Sequence, residues 1–222
     1  MPLRLKEHFI KISKTARYYS LGESSASVKH LWFCLHGYGQ LGRYFIQNFN
    51  ALENSERLII VPEAPNRFYL DGTSGRVGAT WMTKEERLRD IDDYTVYLND
   101  LATAIASQLS DNVKVHVFGF SQGVATAFRW ANLYNAGQIS SLHGWAGTFP
   151  PDIDYRLNQE RFNALNITLH FASHDRFISV EKADDIVSQL SGMDIKTERF
   201  YFEGEHKIYA EPLEALFIRA EE

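Results

Sequence analysis

The chain has one cysteine, Cys34, so no intrachain disulfide can form. Cys34 sits in the apolar run 31–35 and reads as a small core hydrophobe, not as a nucleophile. Blocks of lysine or arginine are missing as well. With a formal net charge of −5, the chain carries no electrostatic footprint for nucleic acid or an anionic membrane. No segment approaches the roughly 20 consecutive apolar residues of a membrane span. Residues 1–8 mix charges where a signal peptide would be apolar. There is no internal repeat or low-complexity tract. These absences leave a soluble, cytoplasmic globular protein as the expectation, without a nucleic-acid partner or stable membrane insertion. The length of 222 residues suits one domain over residues 1–222; nothing in it specifies an oligomeric state.

What is present is an alternation of strand-like and helix-like segments. Continuous apolar runs at 30–35, 58–61 and 113–118 read as strands buried on both faces, and 139–145, 167–172 and 195–202 as further strands. Helical spacing of apolar residues marks 44–53, 84–110, 124–131, 180–190 and 212–220. Residues 4–20 alternate in short stretches that suit an antiparallel pair at a sheet edge, 22–27 form a turn, and 63–83 form a long loop. Strands alternating with helices argue for an α/β fold, a mainly parallel sheet covered on both faces, with functional residues at the carboxyl ends of the strands.

At one such end stands Gly119-Phe120-Ser121-Gln122-Gly123. A serine with glycines two residues before and after it, between a strand and a helix, is the nucleophile-elbow pattern. The chain must reverse there within one or two residues, which needs positions without Cβ. The Gln122 amide would face the reacting centre from a helix N-terminus and stabilise an oxyanion. The competing reading is a glycine-rich turn in which Ser121 only caps a helix.

A serine hydroxyl needs a neutral histidine to take its proton and a carboxylate to orient that histidine. Of eight histidines, His8, His30, His116, His143 and His170 lie in or beside strands and read as packed side chains, and His174 adjoins a carboxylate without being aimed at it. His206 follows the last strand in the glycine-containing loop 203–206 and is the candidate base. Asp175, just after the strand at 167–172, is the candidate acid, with Asp152 or Asp154 as the fallback. A second oxyanion donor is expected from the loop His36-Gly37-Tyr38-Gly39, through the Tyr38 amide, with His36 as a structural hydrogen-bonding residue beneath it.

With these residues in view the chain resembles the α/β-hydrolase group of small carboxylesterases, phospholipase-like esterases and acyl-protein thioesterases. Leu35-His36-Gly37-Tyr38-Gly39 is similar to that family's oxyanion segment, Pro62-Glu63-Ala64-Pro65 to its Pro-x-Ala-Pro, residues 119–123 to its elbow and His174-Asp175 to its acid segment. The resemblance implies hydrolysis of an ester or thioester through an acyl-enzyme, without metal or organic cofactor, on a small-molecule or acylated substrate. Trp81 is similar in placement to a tryptophan near the family's pocket, and Trp81, Phe149 and Phe177 are expected to line it with Tyr38. No long insertion follows residues 139–145, so no large cap domain is expected. Departures include Val124 in place of a second glycine, Phe177-Ile178-Ser179 after the acid, and Glu205 before the histidine; they bear on the substrate and leave the triad intact. A peptidase, lactonase or lysophospholipase of the same fold, or a non-catalytic binding module, are the alternatives.

Overall fold

The computed structural model describes residues 5–134 and 139–222; residues 1–4, with which the N-terminal readings begin, lie outside it. In chain order the strands are β1 (Tyr18–Leu21), β2 (His30–Leu35), β3 (Arg57–Pro62), β4 (Asn66–Tyr69), β5 (Val77–Thr80), β6 (Lys114–Phe120), β7 (Ile139–Trp145), β8 (Asn166–Ala172) and β9 (Glu198–Phe202). The helices are α1 (Gly42–Phe45), continued by a 3-10 segment at Ile46–Leu52, α2 (Arg87–Ala106), α3 (Gln122–Leu133), α4 (Gln159–Asn163), α5 (Val180–Ser191) and α6 (Ala210–Glu221).

Among the described residues seven strands form one sheet in the order β1-β3-β2-β6-β7-β8-β9. All neighbours are parallel except β1, which runs antiparallel to β3. Side chains of a strand point alternately to its two faces, and β2 shows the result. Leu31, Phe33 and Leu35 enter the apolar layer that includes Leu98, Phe128 and Ile186, from α2, α3 and α5. Trp32 and Cys34 enter a second layer with Phe49, Leu213 and Phe217, from the 3-10 segment and α6. Both layers are dry, which is why this run lacks polar alternation. Trp32 is stacked on Phe217 at 3.7 Å, and its indole N–H donates to Glu221 at 2.8 Å. Glu221 also accepts from Arg57, so α6 is tied to the sheet by charge as well as by packing.

Three expectations are corrected. Among the described residues, 5–17 belong to no strand, and Leu5, Ile10 and Ile12 are exposed; of this segment Tyr18–Leu21 joins the sheet. The alternation in 8–12 has no apolar face to cover, so the pattern alone does not recruit a partner. The long loop at 63–83 contains the antiparallel pair β4–β5, joined to the loop after β2 by a bridge between Gln40 and Ala79. The helix expected over 44–53 is mostly 3-10.

The face under α6 also carries a polar staircase. His30 Nδ1 meets His116 Nε2 at 3.0 Å, His116 Nδ1 meets Ser141 Oγ at 2.6 Å, and Ser141 Oγ meets His143 Nε2 at 2.7 Å. His143 Nδ1 continues to Thr168 Oγ1 at 2.7 Å, and Thr168 Oγ1 to His170 Nε2 at 2.8 Å. The row crosses β2, β6, β7 and β8 diagonally, since His116 is level with Ser141 and His143 with Thr168. Each hydroxyl offers one donor and two acceptors and each neutral imidazole one of each, so the nitrogens between the two ends of the row are matched. Of the histidines read as packed side chains, His30, His116, His143 and His170 are therefore a connected element of the sheet, whereas His8 is exposed.

Burial holds these rings neutral, pushing His116 and His170 down to about 3 and His143 well below the ordinary 6.5. As the pH falls below 6.5, the unfolded chain binds protons that the folded chain excludes. Stability is therefore full above about pH 6.5 and is lost as pH falls, by about 1.4 kcal/mol per pH unit for each such histidine. Urea unfolding is expected to show a midpoint that drops steadily between pH 7 and 4.5. A midpoint constant across that range contradicts neutral burial of the row.

Candidate active site

The elbow is built by contact, not by propensity. A β-carbon on Gly123 would stand 2.2 Å from the Leu35 carbonyl oxygen, and one on Gly119 would stand 2.4 Å from that of Gly123. Only glycine lets the first turn of α3 press against the end of β2 while β6 passes beneath it. Between them Ser121 takes φ 53° and ψ −116°, a conformation costing on the order of 1–3 kcal/mol for a residue with a side chain. Its neighbours compensate: the Ser121 amide donates to Trp145 O at 2.9 Å, and Ser121 O accepts from Val124 N at 3.0 Å. The side chain is left half-exposed at the carboxyl end of β6.

Two loops bring the other groups to it. The Ser173 amide donates to Phe202 O at 2.9 Å, the His174 amide to Gly204 O at 2.8 Å, and the Gly204 amide to Ser173 Oγ at 3.3 Å. These bonds staple the loop after β8 to the loop after β9. Asp175 leaves the first loop, and its Oδ1 accepts from the amides of Phe177 at 2.7 Å and Ile178 at 3.2 Å. Its Oδ2 faces His206 Nδ1 at 2.6 Å, and His206 Nε2 faces Ser121 Oγ at 2.9 Å. The carboxylate is 1 % exposed and the imidazole 15 %. Bonds from two amides and one imidazole account for a carboxylate withdrawn from water. Phe177 stands edge-on to the imidazole at 4.7 Å and Phe120 lies 5.0 Å from it, so the ring is gripped between aromatics.

The loop after β2 reaches the same place. A β-carbon on Gly37 would stand 3.2 Å from Ser121 Cβ. The Gly37 amide is occupied by Gln40 Oε1 at 2.7 Å, the Gly39 amide by Ala79 O at 2.8 Å and the Gln40 amide by Gly37 O at 3.3 Å. Neither the Tyr38 amide nor the Gln122 amide has an acceptor among the described residues. His36 underpins the loop: Nδ1 donates to Gly37 O at 2.8 Å, and Nε2 accepts from the Ala64 amide at 3.0 Å. That pattern requires a neutral ring, and burial drives His36 down to about 4.

The remaining candidates separate by burial. Tyr38 is exposed and lies against Phe68 at 5.1 Å, and Phe177 is exposed beside His206. Trp81, read as a pocket wall, is 0 % exposed; its indole N–H donates to His36 O at 2.9 Å, so it holds the loop from inside. Phe149 is also in the core, edge-on to Tyr155 at 5.3 Å. Neither fallback acid is near the histidine. Asp152 is gripped by Arg129 at 2.6 and 2.9 Å, and Asp154 accepts from the Leu157 amide.

Sequence reasoning misses three supports. The Gln122 side chain accepts from the Trp81 amide at 3.2 Å and donates to Met82 O at 2.9 Å, fastening the segment after β5 to the elbow. Gln40 shapes the turn that frees the Tyr38 amide. Buried Glu63 accepts from Arg17 at 2.7 Å, Arg67 at 2.7 Å and Gly42 at 3.1 Å. Burial works to raise its pKa, but the two guanidinium bonds outweigh this and hold it below the usual carboxylate range. For Gln122 the position inside a recognised elbow was the available signal; for Gln40 and Glu63 residue type alone carried none. No group of three or more His, Cys, Asp or Glu among the described residues is arranged to hold a metal ion.

The fold and motifs agree with known proteins. The structure superposes on acyl-protein thioesterase 2 of Zea mays with a TM-score of 0.72 at 18 % identity, covering 93 % of this chain and 99 % of that one. Esterase PE8 gives 0.67 at 20 % identity, over 93 % and 99 % of the chains. The Bacillus cereus carboxylesterase gives 0.65 at 13 % identity, over 92 % and 93 %. At such identities the likeness establishes the α/β-hydrolase fold. A search of curated protein sequences gives no match. The model of one family, phospholipase/carboxylesterase, matches residues 21–218. That span takes in the loop after β2, the elbow, and the loops of Asp175 and His206, and the chain belongs to the phospholipase/carboxylesterase family of hydrolases.

Proposed function

We propose that the chain hydrolyses carboxylic esters or thioesters by two-step acyl transfer, with Ser121 as nucleophile, His206 as general base and acid, and Asp175 orienting the imidazole. The observation that carries this reading is the unbroken hydrogen-bonded series from Ser121 Oγ through both nitrogens of His206 to Asp175 Oδ2. With Nδ1–H donating to the carboxylate, Nε2 is the basic nitrogen and faces the hydroxyl. As Oγ attacks the carbonyl carbon, its proton passes to Nε2 and the carbonyl electrons collect on oxygen. The amides of Tyr38 and Gln122 receive that charge, the latter at the positive end of α3. Collapse expels the alcohol or thiol, which takes the proton from His206. Water then gives one proton to Nε2 and its oxygen, with the other proton, to the acyl carbon; the carboxylic acid leaves as Ser121 recovers its proton from His206, and then ionises in solvent.

The exposed Phe177 ring against His206, and the exposed Tyr38 ring on the loop that reaches Ser121, support an acyl or aryl substituent as the part of the substrate held there. The buried position of Trp81 and its bond to His36 O support a role in shaping the site from behind, and the packing of Phe149 on Tyr155 supports a place for Phe149 in the core. The reading includes a cytoplasmic location, supported by the free, buried Cys34 and by the lack, among the described residues, of any helix long and apolar enough to cross a membrane.

Initial rates on p-nitrophenyl acetate, butyrate and octanoate and on an S-acyl peptide test the proposal. Wild type is expected to turn over at least one substrate. Ser121→Ala and His206→Ala should lose about 10³-fold or more in kcat, and Asp175→Asn about 10³–10⁴-fold. Turnover that survives Ser121→Ala assigns the chemistry elsewhere.

Gln122→Ala separates the side chain from the amide. It keeps the proposed oxyanion donor but removes the bonds to the Trp81 amide and Met82 O, and is expected to lower kcat/KM roughly tenfold. Unchanged kcat/KM would mean that this tether does not position the site.

A further inference from the structure

On the face of the sheet under α6, a cavity of about 170 Å³ lies between that helix and the β8–β9 edge. Its walls include Thr168, His170, Phe200, Phe202, Leu216 and Arg219. Trp145 packs on two of these wall residues, stacked on His170 at 5.5 Å and lying 4.5 Å from Phe202, while its indole N–H donates to Lys207 O beside His206. Neither Ser121 nor Asp175 nor His206 lines the cavity.

His170 Nδ1 and the Arg219 guanidinium are polar groups of this wall without a hydrogen-bond or salt-bridge partner among the described residues. His170 is 5 % exposed; its Nε2 is taken by Thr168, and its Nδ1 is the end of the histidine staircase with nothing beyond it. Arg219 forms no salt bridge among the described residues and holds its guanidinium 4.2 Å over the Phe200 ring. Among the described residues no aspartate or glutamate lines the cavity, and its surface is mainly hydrocarbon. One cation, one imidazole nitrogen and apolar walls match a ligand with a single negative group and a compact apolar body. A cavity of about 150 Å³ accommodates benzene, which sets the size of that body.

The staircase supplies the hydrogen-bond polarity. If His30 Nδ1–H donates to His116, each link passes the same sense onward: His116 to Ser141, Ser141 to His143, His143 to Thr168, Thr168 to His170 Nε2. His170 then carries its proton on Nδ1 and presents a donor to the cavity. An anion bound there selects that sense throughout the row.

We propose that this cavity is a second site that binds a small apolar monocarboxylate. The carboxylate pairs with Arg219 and accepts from His170 Nδ1–H, and the hydrocarbon part packs among Phe200, Phe202 and Leu216. The site is separate from the acyl-transfer reading and does not depend on it.

Isothermal titration with benzoate tests it, using the Ser121→Ala protein so that no turnover intervenes. Saturable binding is expected, weakened about tenfold or more by Arg219→Gln and abolished by Ala215→Trp, which fills the cavity from the exposed side of α6. Benzyl alcohol should bind about tenfold more weakly than benzoate. Absence of saturable benzoate binding overturns the proposal, as does binding that neither substitution affects, which would locate the anion elsewhere. Binding lost in Ala215→Trp but unchanged in Arg219→Gln also overturns it, because the cavity would then hold the ring without recognising the charge.

Discussion

The backbone reversal at Ser121 is the constraint on which the rest of the site depends. A strand that ends under the first turn of a helix can do so only if the two backbones touch, and Gly119 and Gly123 permit it. The strain at Ser121 is then fixed by an amide bond to β7 and a carbonyl bond within α3. With α3 pressed onto the carboxyl end of β2, the loop that follows β2 has no other place to run than alongside the serine. Trp81 and His36 secure that loop from within, both as neutral hydrogen-bonding groups in a dry interior.

The second half of the site is independent in sequence and joined in space. Asp175 and His206 sit on loops after adjacent strands, and backbone bonds between the loops carry the two side chains as one body. Orientation of the imidazole therefore rests on β8–β9 pairing, a property of the sheet, more than on the local sequence of either loop. The sheet supplies its own internal order through the histidine and hydroxyl staircase. This polar row costs nothing in unmatched groups along its length, but it commits the fold to neutral histidines and leaves one nitrogen facing a cavity.

Much of this was legible in the residues. Continuous apolar runs specify strands buried on both faces, and the elbow, the loop at 36–39, Asp175 and His206 follow from spacing and from their place after strands. The parts that were not legible share a physical cause: they depend on what a side chain meets in three dimensions. The alternation at 8–12 looks like a strand, but only a neighbour makes one. Trp81 and Phe177 are both aromatic, yet one is enclosed and the other exposed, because the β4–β5 pair folds Trp81 inward. His30, His116, His143 and His170 look unrelated along the chain and become a row only when four strands set their register.

The central claim is that Ser121 is an activated nucleophile, and intact-mass measurement after incubation with a small fluorophosphonate tests it without knowledge of the substrate. The account predicts one covalent adduct on the wild-type chain and none on Ser121→Ala. Absence of an adduct on wild type, or an equal adduct on the variant, would contradict it.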